Sequence, residues 1–298
     1  MIGAVVRSMR PPFLLLSLMM VFLAVALVYY QQGTVDPARA ALIMLIALSG
    51  HISVNCLNEY QDFRSGLDLM THKTPFSGGS GALPSNPQAA PVVLMVAIIS
   101  LISCFVSGLI LIDGMGWKPY VLGILGILLV LTYTRWLNRM PLLCLIAPGT
   151  GFALVMLLGA VIVLSDTVTS VAMMSALLPF CLVNNLLLVN QYPDIAADTE
   201  VGRRTLPGYY GVEVARRVYA MLALLSALSV TVVLIMIESH PVGWLIVLPL
   251  ALSVWIYQRL TSGQYQTADF RLTMALNVLL TLLMPLLLSL CLIGARWG

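Results

Sequence analysis

The chain has 298 residues, of which 60% are hydrophobic and 9% are charged, and its formal net charge is +3. Together with a mean hydropathy of +0.99, this is the composition of a protein built within a membrane, and it excludes an ordinary soluble globular domain. A charge of this size follows from membrane topology and needs no nucleic-acid partner.

The apolar residues fall into nine runs, and a transmembrane helix needs roughly 20 such residues. The first run follows two arginines, as in a signal peptide, but no small-residue cleavage site precedes a soluble domain, so we expect a first span. The predicted fold class is an all-α integral membrane protein, one polytopic domain over 1–298. The predicted spans are 11–30, 38–58, 89–112, 119–135, 141–164, 168–190, 212–237, 242–258 and 269–293.

Basic residues indicate how these spans are oriented. With the N-terminus inside, 12 of the 15 Lys and Arg residues fall on inner segments, and only Arg39, Lys118 and Arg296 fall outside. This segregation predicts nine spans in a cytoplasmic membrane, with a cytoplasmic N-terminus. Prolines inside four of the spans favour kinks that open a central cavity in the bundle.

Two acidic clusters end the second and sixth spans, and four crossings separate them. The predicted Asp-rich loops therefore lie on the same, cytoplasmic side. Carboxylate and amide oxygens, without His or Cys, suit Mg²⁺, which completes its shell with substrate phosphates. The pattern therefore predicts a membrane enzyme that handles a diphosphate. The clusters contain Asn58, Asp62 and Asp68, and Asn190, Asp194 and Asp198.

Glycine-rich and basic residues follow the two clusters. The run from Thr74 to Gly81 lacks the Gly-Lys-Ser/Thr end of a nucleotide-binding loop, so it predicts either a flexible connector or a lid over a substrate. Arg203 and Arg204 either bind diphosphate oxygens or anchor the inner side of the membrane, and Arg203 is the better candidate for binding.

The clusters resemble the two Asp-rich motifs of the UbiA superfamily of intramembrane prenyltransferases. The wider first motif, the Thr-Pro-Phe-Ser-Gly-Gly-Ser-Gly run and the Asp-Ile-xx-Asp…Gly-xx-Thr-Leu pattern are most similar to the MenA-like branch, which prenylates 1,4-dihydroxy-2-naphthoate. The resemblance implies Mg²⁺-dependent transfer of an isoprenoid chain from an allylic isoprenoid diphosphate to an aromatic, quinone-precursor-like or other electron-rich acceptor among membrane lipids.

The resemblance also implies roles for individual residues. The four aspartates would be catalytic and would hold Mg²⁺ with the two asparagines, which also contact substrate. Tyrosine faces, including Tyr60, would stabilise an allylic cation. The further substrate-binding candidates are Arg64, Lys73, Tyr133, Arg135, Tyr192 and Arg203.

The sequence departs from the family pattern at three places, one of which is that the Gly- and Tyr-rich stretch usual after Tyr133 in menaquinone-pathway members is missing. Glu59 stands where aspartate is more usual. The Tyr-xxx-Lys pair of many relatives is here Tyr133 to Leu137, so Arg135 or Arg139 would replace the lysine.

The remaining metal-binding or redox candidates do not form groups in the sequence. His51, His72 and His240 are scattered, which argues against a histidine-ligated metal, although His72 lies in the lid-like loop as a solvated residue or a substrate contact. The five cysteines are also isolated and predict packing residues.

Two other functions remain open from the residues. A UbiA-type terpene cyclase would use the same metal site without an acceptor. An ion-coupled transporter would use the carboxylates for ions, but transport sites usually lie near the membrane midplane rather than at span ends.

Overall fold

A computed structural model describes residues 1–71, 73–261 and 263–297, and it contains helices and no strands within those ranges. His72 lies outside the described residues. A short helix, Ile2–Ser8, precedes nine longer helical segments. These are α1 (Pro11–Gln32), α2 (Pro37–Ser65), α3 (Ala90–Ile112), α4 (Trp117–Thr132), α5 (Pro141–Ser165), α6 (Ser170–Asn190), α7 (Val212–Met236), α8 (Pro241–Arg259) and α9 (Ala268–Trp297).

Eight of these segments are long and apolar enough to cross a membrane, within the described part of the chain. All eight coincide with predicted spans. The remaining segment, α4, has 16 residues, which at about 1.5 Å per residue gives roughly 24 Å against a hydrocarbon thickness of about 30 Å. Within the described residues, the structure therefore confirms an all-α membrane protein with eight candidate spans, and it contains a shorter helix at the fourth predicted span, 119–135.

The first acidic cluster lies on a helix rather than in the predicted loop. Helix α2 continues to Ser65 and carries Asn58 and Asp62 in its last turns, and only Asp68 follows its end. From Asn58 to Ser65 the chain contains neither glycine nor proline, and Gly66 ends α2 in the left-handed conformation at φ 81°. The predicted span 38–58 included Asn58, so the prediction of a loop directly after it was wrong for Asp62, and both side chains lie on a rigid helix.

Helix α5 is irregular in the middle of the bundle. Pro148 lies inside its first part, and Thr150–Leu158 forms a π-helix before regular α-helix resumes. The backbone N–H of Gly149 donates to Asn184 Oδ1 of α6 at 2.7 Å. This hydrogen bond joins the two helices where the proline disturbs regular pairing.

Packing divides the molecule into a dense part and an open part. Helix α6 packs against α5, α7 and α9, and α1 packs along α9. Hydrogen bonds among Asn185, Tyr219 and Asn277 join α6, α7 and α9 in the dense part. Helices α1 to α6 instead surround a cavity, and this cavity contains the acidic residues.

Candidate active site

The two acidic clusters meet at one cavity of about 640 Å³. Most of its wall consists of apolar side chains from α1 to α6, while polar groups gather where α2 and α6 end. The shared position of the clusters agrees with the expectation that they form one site. The cluster residues that line the cavity are Asn58, Asp62, Asp68, Asn190, Asp194 and Asp198.

Arg203 joins the two clusters directly. Its Nη2 donates to Asp62 Oδ1 of the first cluster, and its Nη1 lies 3.5 Å from Asp198 Oδ1 of the second. Its side chain is only 19% exposed, so the guanidinium serves as counter-ion to two buried carboxylates. Positive charge is therefore held where a diphosphate would need it.

The glycine-rich run after the first cluster folds over the second. The Gly78 N–H donates to Asp194 Oδ2 at 2.9 Å. Gly79 has φ +76° and lies so close to Asp68 that a Cβ atom would collide with its carboxylate. The run is therefore an ordered wall of the site, and glycine is required at position 79 for both backbone conformation and space.

Glu59, which the sequence marked only as a departure from the family pattern, anchors this run. Its side chain is fully buried and accepts from the Ser80 N–H at 3.1 Å and from the Ser80 hydroxyl. It also forms an ion pair with Arg10 at 3.1 Å, and Arg10 in turn lines the cavity. From the sequence alone Arg10 was only one of the basic residues expected on the inner side, and its place at the site was not predicted.

Several buried oxygens at the site have no hydrogen-bond partner in the described chain. They are Asp68 Oδ2, Asn190 Oδ1 and Asp194 Oδ1. Unpaired acceptors of this kind are costly unless a cation binds them, so the donor set fits a hard divalent metal. Within the described residues, however, no three His, Cys, Asp or Glu residues are close enough to form a ready-made cation site, and the Arg203 guanidinium lies between Asp62 and Asp198.

The electrostatic setting of Asp68 also favours a bound cation. Burial, followed by repulsion from Glu59 and Asp62, raises the pKa of its carboxyl to about 7. Arg10 and Lys73 lower the pKa by smaller amounts. Because excess negative charge outweighs the nearby positive charge, additional cationic charge would be stabilising here.

The other predicted substrate contacts fall into two groups. Tyr133 lines the cavity, and the neighbouring Thr134 hydroxyl donates to Asn58 Oδ1 at 3.1 Å. Lys73 is exposed. Its Nζ lies beside Gly81, 3.0 Å from the position that a Cβ atom would occupy there. It therefore lies beside the glycine-rich run.

Arg64, Arg135 and Tyr192 do not line the cavity. Arg64 and Arg135 are exposed, and the guanidinium of Arg135 lies over the neighbouring Trp136 ring. Tyr192 is buried against Tyr265 and Phe270 on another side of its helix, because the turn after α6 rotates it away from the acidic residues.

Tyr60 also lies outside the cavity wall. It packs with Ile52 and Phe63 against a separate apolar cluster.

Comparison with known proteins identifies the family. The family model described as the UbiA prenyltransferase family matches residues 17–279. The chain belongs to the UbiA prenyltransferase family. It is a membrane-embedded prenyltransferase.

This UbiA prenyltransferase is similar to 1,4-dihydroxy-2-naphthoate octaprenyltransferase of Escherichia coli (strain K12), with 27% identity over 260 residues, 83% of this chain and 82% of that protein. Its fold is similar to a UbiA homologue from Archaeoglobus fulgidus bound to GPP and Mg²⁺, with a TM-score of 0.69, 13% identity and coverage of 98% of this chain and 99% of that one. An apo UbiA homologue from Aeropyrum pernix K1 matches with a TM-score of 0.67, 15% identity and coverage of 96% and 97%.

Removing the Glu59 carboxylate should weaken binding of the isoprenyl diphosphate, because the glycine-rich run and Arg10 would lose their common anchor. We expect Glu59→Ala to lower kcat/KM for this substrate about 10- to 150-fold, the equivalent of a lost charge-assisted contact of roughly 1.5–3 kcal/mol. Ser80→Ala should have a smaller effect, because the backbone N–H still donates to Glu59.

Steady-state kinetics in detergent would measure both effects. Glu200→Ala is the matched control, because Glu200 is an exposed carboxylate on the short helix that carries Asp198. Equal kinetics in the Glu59 and Glu200 variants would show that the anchor does not support the site.

Proposed function

We propose that the enzyme transfers an isoprenoid chain from an allylic isoprenoid diphosphate to an aromatic, quinone-precursor-like acceptor, with Mg²⁺ as cofactor. The observation that carries this proposal is the convergence of both acidic clusters, joined by Arg203, at the polar end of a long apolar cavity. The name of the Escherichia coli relative supports a naphthoate acceptor, and the Archaeoglobus homologue bound to GPP and Mg²⁺ supports the diphosphate and the metal.

The metal would be held by oxygens of both clusters. Asp62, Asp68, Asp194 and Asp198 would supply carboxylates, and Asn58 and Asn190 would supply amide oxygens. When bound, Mg²⁺ would neutralise negative charge on the departing diphosphate. The buried oxygens that lack partners on Asp68, Asn190 and Asp194 support this assignment.

Basic residues at the same end would bind the diphosphate. Arg203 and Arg10 line the cavity, and Lys73 lies beside the glycine-rich run. Their charges would stabilise the oxygens that gain negative charge as the C1–O bond of the substrate breaks. We assign Arg64 and Arg135 to the exposed inner surface, and Tyr192 to packing, because none of the three reaches the cavity.

The apolar part of the cavity would hold the isoprenoid chain and exclude water from the allylic cation. Tyr133 lines this space and could place its ring face toward the cation. An aromatic carbon of the acceptor then forms a bond to C1 and releases its proton, while diphosphate leaves with the electron pair of the C1–O bond. This sequence accounts for a cavity with one charged end and a long apolar wall.

We further propose one domain over 1–298 with nine crossings and cytoplasmic acidic clusters. Because both clusters reach one cavity, an even number of crossings must separate them. The crossings are α3, α4, α5 and α6, so the shared cavity supports α4 as a span despite its 16 residues. The concentration of basic residues at this end supports its cytoplasmic location.

The purified enzyme with geranyl diphosphate, Mg²⁺ and 1,4-dihydroxy-2-naphthoate should give a prenylated aromatic product, detected by mass spectrometry. Asp62→Ala and Asp194→Ala should each abolish product formation, because the two clusters contribute to one site. Removing Mg²⁺ with a chelator should have the same effect and should be reversed by added Mg²⁺.

Asp113→Ala is the matched control, since Asp113 is exposed beyond the opposite end of α3. A cyclised isoprenoid formed without any acceptor would favour a terpene cyclase. Substantial turnover in either cluster variant at saturating Mg²⁺ would refute the shared metal site.

Arg203→Ala tests charge stabilisation separately from the carboxylates. Losing a charge-assisted contact of roughly 1.5–3 kcal/mol should raise KM for geranyl diphosphate or lower kcat by about 10- to 150-fold. Arg203→Lys should recover part of this, because lysine keeps the charge but loses the planar fork. Arg204→Ala is the neighbouring control, because Arg204 is exposed and lies over the Tyr209 ring; unchanged kinetics for Arg203→Ala would remove it from the site.

The proposed topology predicts the reactivity of single cysteines introduced into a background without the native ones. In intact cells, a membrane-impermeant maleimide should label Thr34→Cys and Asp113→Cys but should not label Ser85→Cys or Thr199→Cys. Permeabilisation should make the latter pair reactive. Labelling of Ser85→Cys and Thr199→Cys from opposite faces would contradict four crossings between the clusters.

A further inference from the structure

A histidine and a serine form a polar pair in the otherwise apolar wall of the cavity. His51 of α2 lines the cavity, and its Nδ1 lies 2.8 Å from the hydroxyl of Ser17 on α1. The ring of Phe152 from α5 packs edge-on against the imidazole, with centroids 5.1 Å apart. Three helices thus fix the orientation of this imidazole.

The hydroxyl of Ser17 determines which ring nitrogen carries the proton. Ser17 is fully buried, and His51 Nδ1 is the only hydrogen-bond partner of its side chain among the described residues. If Nδ1 carried the proton, the buried hydroxyl proton would have no acceptor. Donation from Ser17 to Nδ1 satisfies both groups, so the neutral imidazole carries its proton on Nε2.

Nε2 is accessible from the cavity. It has no hydrogen-bond partner in the described part of the chain, and it is not among the buried atoms sealed from solvent. The chain therefore presents one oriented N–H donor to the cavity, well away from the acidic residues. A polar ligand atom that enters the cavity would accept a hydrogen bond from this donor.

His51 lies on the same face of α2 as two residues of the acidic site. It precedes Asn58 by seven residues and Asp62 by eleven, spacings close to whole numbers of helical turns. The helical rise of about 1.5 Å per residue places the imidazole about 10 Å beyond Asn58 along the helix axis and about 16 Å beyond Asp62. This separation leaves room for an aromatic ring system between the diphosphate end and the imidazole.

We propose that the Nε2–H of His51, oriented by Ser17, binds an oxygen substituent of the aromatic acceptor and directs its ring toward C1 of the isoprenoid. The isoprenoid chain contains no hydrogen-bond acceptor, so it cannot be the partner of this donor. The ligand is an aromatic compound bearing a hydroxyl, carbonyl or carboxylate oxygen. This inference rests on the proposed function and adds to it a residue that selects the acceptor.

Kinetics with 1,4-dihydroxy-2-naphthoate and geranyl diphosphate at saturating Mg²⁺ test this assignment. His51→Phe keeps an aromatic ring and removes the donor, so it should raise KM for the naphthoate roughly 5- to 50-fold. KM for geranyl diphosphate should stay within about twofold, since the diphosphate site is untouched. His51→Gln should recover part of the loss, because its amide N–H₂ is also a donor.

Ser17→Ala tests the orienting role separately. Without the serine hydroxyl the imidazole proton can occupy either nitrogen, so the acceptor KM should rise only about 2- to 5-fold. Naphthol analogues that each lack one oxygen identify the substituent that His51 binds. Loss of that oxygen should raise the acceptor KM of the wild-type enzyme and leave the acceptor KM of His51→Phe unchanged.

A fluorescence titration of the naphthoate without geranyl diphosphate measures binding independently of turnover. Weaker binding to His51→Phe than to the wild type supports the inference. Equal binding and equal acceptor KM would overturn it, and so would parallel losses for both substrates, which would indicate a structural role. Naphthoate binding without product formation by the wild type would instead count against the proposed function.

Discussion

The ion pairs of Arg203 with Asp62 and Asp198 are the interaction on which the active site depends. Carboxylates buried beside a membrane interior are costly unless a cation compensates them. Arg203 supplies this positive charge to one carboxylate of each acidic cluster. In the proposed function the same guanidinium would also bind diphosphate oxygens, so one side chain would serve both the buried carboxylates and the anionic substrate.

Further contacts hold the glycine-rich run beside the acidic clusters. Glu59 fixes Arg10 and Ser80, while Gly78 donates to Asp194. The N-terminal segment, α2 and the turn after α6 are therefore connected through one short glycine-rich run. Because its backbone passes close to carboxylates, small residues with left-handed conformations are needed, and this explains why the run is rich in glycine.

Charged side chains and the imidazole of His51 line different parts of the cavity. Charged groups lie at the end of α2, whereas His51 offers a neutral donor about 10 Å further along the same helix face. Between them α2 contributes Val54 and Asn55 to the wall, and most of the remaining wall is apolar. In the proposed function helix α2 would set the distance between the diphosphate end and the acceptor contact, and a rigid helix fixes such a distance better than a loop would.

The sequence by itself determined the helical membrane class, the positions of eight spans and the family, because apolar runs and repeated Asn-xxx-Asp spacing are local patterns. It also predicted Arg203 as the better candidate for binding the diphosphate, which stays a prediction. It did not determine that Glu59 anchors the glycine-rich run, that Tyr192 turns away from the cavity, or that Ser17 orients His51. Those relations join residues far apart in the chain, and the rotation of a side chain at a helix end depends on packing. Only the tertiary structure could decide them.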